Sequence, residues 1–186
     1  PVLPLHTKPI RGVLFSHNLV VQCASLIVSA LKYFVEHGMA FKFVLNANGN
    51  RIALLSWSCT NPPGFIARTD RPGLAGVRIR TAFASDPALE EQPGTPPWVH
   101  TQAVEDDVQK LLGAIKSARA EADYVILALH WGVPPQWQSR FQGPLAEYQI
   151  PLGKQLIEAG VDLILGCHAH TVYGIESVAR SSGGSG

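Results

Sequence analysis

The sequence predicts an α/β fold built around parallel strands, and three observations lead there. Two short apolar runs, YVILALHWG at 124–132 and VDLILGCHAH at 161–170, are rich in Val, Ile and Leu and barely alternate. Strands of a parallel sheet, buried on both faces, read this way. Between them Leu145, Tyr148, Gln149, Leu152, Leu156 and Ile157 recur at helical spacing, and Ala159-Gly160 supplies the stop. Third, a strand–helix–strand unit of this size makes a crossover, so its strands run parallel in one sheet with their carboxyl ends on one edge.

Each run ends in histidine, so His130, His168 and His170 all follow the last apolar residues of their strands. Ligands of open α/β sheets bind at that edge, and neutral imidazole is a common metal ligand. Taken singly, His130 fits a hydrogen-bonded core residue, and His168 and His170 fit ordinary loop polars. Three at the ends of one unit point instead to a metal or anion site.

The remaining elements follow in order. PVLPLHTKPIRG is an extended lead-in. From Leu19 to His37 the apolar positions, among them Leu26, Ile27, Ala30, Leu31 and Phe34, predict a helix that stops at His37-Gly38. Its apolar stretch is interrupted by Gln22 and Ser25, falling short of the roughly 20 residues of a membrane span, and no targeting segment is legible. KFVLNANGNRIALLSWS reads as a hairpin: a strand at Phe41–Leu45, a turn at Asn48-Gly49 and a strand at Arg51–Trp57. From Thr60 to Trp98 prolines and glycines predict a long surface loop with one short strand at Val77–Ile79. Arg68, Arg71, Arg78 and Arg80 in it suit carboxylate or phosphate oxygens, or are solvated charges near Asp70 and Asp86. Thr101 is the expected cap of an amphipathic helix with Val104, Val108, Leu111, Leu112 and Ile115 on its apolar stripe.

Composition narrows the functional classes. A formal charge of +1 with 16% charged residues gives no basic field, so nucleic acid is not an expected partner. Cys23, Cys59 and Cys167 are widely spaced and form neither a disulfide framework nor a zinc knuckle. Cys167 is expected to be a small buried residue. The chain reads as a single domain over 1–180, truncated at both ends, followed by a flexible tail at 181–186.

HWG at 130–132, LIEAGVDLILG, then GCHAH at 166–170 and YGIE at 173–176 resemble the C-terminal motif block of the CapA-type proteins of poly-gamma-glutamate capsule synthesis. Those proteins belong to the calcineurin-like metallophosphoesterase superfamily. RIALLSWSCT followed by Asn61 resembles a strand leading into the family's variable loop, so the likeness covers about Gly49 to Glu176. It implies a partial metallophosphoesterase-like layered sandwich, with mixed sheets flanked by helices. It also implies a divalent metal (Mn, Fe or Zn), dinuclear in a complete parent protein, an anionic polymer or phosphoester substrate, and a place at the bacterial cell envelope, the parent protein being membrane-associated.

By resemblance His130, His168 and His170 are the catalytic and metal-binding residues, with Glu176 near them and Trp131 and Trp137 at the pocket mouth or in packing. FSHN at 15–18 stands where the family carries Asn-Asn-His followed three residues later by aspartate. His17 and Asn18 are therefore metal candidates, or else a cap or turn. Ser16 occupies the position of the ligand asparagine and Val20 that of the aspartate, and the family's Gly-Asp motif has no counterpart. Three functions follow: a metal-dependent hydrolase of capsule or exopolymer biosynthesis, a catalytically incomplete domain that binds metal or polymer, or another calcineurin-like phosphoesterase.

Overall fold

The computed structural model describes residues 42–68, 70–138 and 143–181. His17, Asn18 and the helix expected at Leu19–His37 lie outside the described residues. The elements run β1 (Lys42–Ala47), β2 (Asn50–Ser58), β3 (Ile79–Ala84), β4 (Trp98–Ala103), α1 (Glu105–Glu121), β5 (Tyr124–Trp131), α2 (Gln149–Glu158) and β6 (Leu163–His168). Strands β1-β2-β5-β6 form one mixed sheet in that order, and β3-β4 form a second, two-stranded one. The fold is α/β, as expected.

β1 and β2 pair antiparallel through Asn48 and Gly49, whose φ angles are +51° and +81°. Two successive positive φ angles are what a type I′ hairpin turn requires, and Asn-Gly adopts them at little cost. β5 lies parallel to both β2 and β6 and sits between them in the sheet. α2 begins at Gln149 and ends before Gly160, whose φ of +120° closes the helix. Pro151 sits in its first turn, where the missing N–H removes no helical bond.

The parallel register decides where the core lies. Ala53, Leu55 and Trp57 of β2 stand opposite Val125, Leu127 and Leu129 of β5, and all six are buried. Val108, Leu111, Ile115 and Ala118 of α1 and Leu152 and Leu156 of α2 join that cluster. The intervening residues Ile52, Leu54, Ile126 and Ala128 are half-buried among the described residues. Among the described residues the strands thus show one fully covered face.

The long-loop expectation needs correction. Residues 79–84 and 98–103 pair antiparallel, so the segment contains a two-stranded sheet. Thr101 belongs to β4 rather than to a helix cap; α1 starts at Glu105 after Val104, which makes no side-chain capping bond. Asp107 in the first turn ties this sheet to the helix instead. Its carboxylate accepts from Arg78 Nε at 2.6 Å, Nη2 at 3.0 Å and the Arg78 backbone N–H at 3.1 Å. Arg78 is therefore a structural anchor and not a solvated loop charge.

Candidate functional site

The carboxyl edge of the main sheet gathers the histidines because register aligns three strand ends. Ser58 at the end of β2 pairs with His130 of β5, which pairs in turn with Cys167 of β6. Trp131 stands opposite His168, the last residue of β6. The rings of His130 and His168 have centroids 4.3 Å apart, tilted by 55°, and His168 and His170 are 6.0 Å apart. The three imidazoles expected from sequence are neighbours in space, with His130 and His168 the closer pair.

Unusual backbone conformations bring them there. His168 has φ +99° and His170 φ +56°, a region in which L side chains are strained and which costs on the order of 1–3 kcal/mol per residue. Gly132, immediately after the HW pair, has φ +92°. Its buried N–H donates to the Tyr148 hydroxyl at 2.8 Å. That bond anchors the turn after His130 to the residue preceding α2. Trp131 is half-buried, edge-on to Tyr148, and lies over Gly153 and Gly166. Its role is packing, whereas Trp137 is 77% exposed.

On the β2 side His130 meets polar partners that the sequence did not advertise. Ser58 is buried, its Oγ 3.2 Å from His130 Nδ1, and its hydroxyl donates to the Thr60 carbonyl at 3.0 Å. Asn61 Nδ2 donates to the Ser58 carbonyl at 3.1 Å, while Asn61 Oδ1 is buried with no hydrogen-bond partner among the described residues. The signal that finds Ser58 is positional: it ends the strand beside the one carrying His130.

Burial pushes the His130 pKa down, His168 lowers it further, the Thr60 carbonyl pulls the other way, and His170 adds the smallest lowering. Burial, then the proximity of His170, lowers that of His168. Both rings therefore favour the neutral form, the one with a lone pair to donate. This chemistry fits the nitrogen share of a transition-metal site. Among the described residues, no group of three or more His, Cys, Asp or Glu side chains is arranged to hold one ion.

The acids and cysteines near the histidine-bearing segments fall elsewhere. Glu147 precedes α2 and accepts from the Thr101 N–H at 3.0 Å, with His100 Nδ1 2.9 Å away, so it joins β4 to the α2 entry. Glu176 is exposed. Cys167 is half-buried with its thiol 3.8 Å from the Leu129 carbonyl, and burial raises the Cys59 thiol to about 12, so Cys59 stays protonated.

One protein-family model matches residues 36–182 of the chain, described as bacterial capsule synthesis protein PGA_cap. No curated protein matches the chain. No helix among the described residues is long and apolar enough to cross a membrane.

Proposed function

The chain belongs to the bacterial capsule synthesis protein family, and from that membership we propose that it supplies the histidine share of a metal centre serving exopolymer synthesis at the cell envelope. The observation carrying this reading is the contact of His130 and His168, two imidazoles on adjacent parallel strands at the carboxyl edge of the sheet, the edge at which open α/β sheets bind their ligands. His130 and His168 would hold the ion, with His170 next to them. A bound Mn, Fe or Zn dication supplies Lewis acidity toward a phosphoryl or amide-like oxygen and activates water. The protein's own part is orientation. Ser58 fixes the His130 ring, Tyr148 fixes the turn behind it, and the strained backbone at 168 and 170 aims the other two.

The substrate class that suits this chemistry is an anionic polymer such as poly-gamma-glutamate, or a phosphoester. A second reading, metal or polymer binding without turnover, is favoured by a donor set that is nitrogen-only among the described residues; a two-ion hydrolytic centre draws on acidic ligands as well. Metal content per chain, with manganese, iron and zinc determined together, separates the two. Near two ions per chain supports the hydrolase, and phosphoester and polymer hydrolysis assays follow. A single ion that binds without any hydrolysis supports the second reading. His168→Ala is expected to lower zinc affinity by at least about tenfold, the size typical of lost site interactions; an unchanged isotherm overturns the site.

A further inference from the structure

We infer that Ser58 is a positioning residue whose hydroxyl holds His130 in the tautomer protonated on Nδ1, leaving Nε2 as the nitrogen with a free lone pair. The consequence for metal binding rests on the function proposed above; the tautomer does not. The Thr60 carbonyl can only accept, so the 3.0 Å contact from Ser58 Oγ takes the single hydroxyl hydrogen. Toward His130 Nδ1, 3.2 Å away, Ser58 then offers only lone pairs. The hydrogen on that contact then comes from the ring, which has one N–H to give when neutral and which the Thr60 carbonyl also draws toward carrying a proton. The opposite tautomer would force Ser58 to release Thr60 and would cap Nε2 with hydrogen.

The backbone makes Ser58 a stable reference for the ring. Its N–H donates to the Ala75 carbonyl at 3.0 Å, and its carbonyl accepts from Val77 N–H at 2.9 Å and Asn61 Nδ2 at 3.1 Å. None of these bonds uses the hydroxyl, so removing it leaves the residue in place. Burial to 7% exposure also shields the hydroxyl from competing water. Metal-binding histidines depend on such a partner, and its loss costs roughly 10–100-fold in affinity.

Two measurements test this. In the metal-free full chain labelled with 15N-histidine, long-range 1H–15N correlations should show His130 Nδ1 carrying hydrogen and Nε2 bare; the reverse pattern overturns the assignment. In zinc titrations, Ser58→Ala should weaken binding about 10–100-fold, with Ser58→Thr restoring it by returning a hydroxyl. If wild type and Ser58→Ala bind zinc equally, the positioning role fails. If the wild type binds no zinc, the metal reading fails while the correlation spectrum still decides the tautomer.

Discussion

Replacing Tyr148 with phenylalanine isolates the bond that holds the turn behind His130. The tyrosine is buried, and its hydroxyl accepts from the buried Gly132 N–H at 2.8 Å. Phenylalanine keeps the ring and its edge contact with Trp131, whose centroid is 6.5 Å away, so packing changes little. What remains is a backbone donor without a partner, in a region closed to water. Such an orphan costs about 1–3 kcal/mol, so about 2 kcal/mol is expected for Tyr148→Phe. For a chain of this size that lowers Tm by roughly 4–8 °C. Urea unfolding should show a lower midpoint at unchanged slope, since the buried surface is the same. A Tm within about 1 °C of wild type would refute the hydrogen bond as the anchor.

Other outcomes follow from the same geometry. Burial alone would raise the Asp107 carboxyl, yet the side-chain and backbone bonds from Arg78, with Lys110 adding, hold it below its ordinary 3.8. A depressed folded-state pKa stabilises above the unfolded value and is lost as pH falls through the folded one. Asp107→Asn should therefore cost about 1–2 kcal/mol at neutral pH, discounted from a fully buried pair because Arg78 is 58% exposed. The gap to wild type should close as pH drops below about 4, read by urea unfolding across pH. At Gly166 a new Cβ would lie 2.6 Å from Trp131 Nε1. Because Tyr148 and Gly153 confine the indole, Gly166→Ala should cost about 1–3 kcal/mol and change tryptophan fluorescence; a variant as stable as wild type would show the ring free to move.

The strand–helix–strand unit was legible because its signals are local and strong. Apolar runs of 124–131 and 163–168 and the Ala159-Gly160 stop state their own structure, and Asn48-Gly49 states the turn of the hairpin. The β3-β4 sheet was hidden because Ile79–Ala84 is largely exposed and carries no apolar alternation, while its partner lies beyond a Pro-rich connection. Its stability comes from pairing and from Asp107, which no window of sequence around either strand displays. Of the site, the three histidines could be read from strand ends alone. Ser58 could not, since it bonds His130 across 72 residues of sequence, and only strand order makes the two neighbours.

The left-handed backbone at His168 sets stability and chemistry against each other at one position. Glycine would adopt φ +99° without strain, so a library sorted for heat resistance alone should drift toward glycine there. A hardened protein obtained by that route would have exchanged an imidazole for relaxation of the chain. Selection for robustness therefore needs to be run together with an assay of the proposed metal binding on this edge of the sheet.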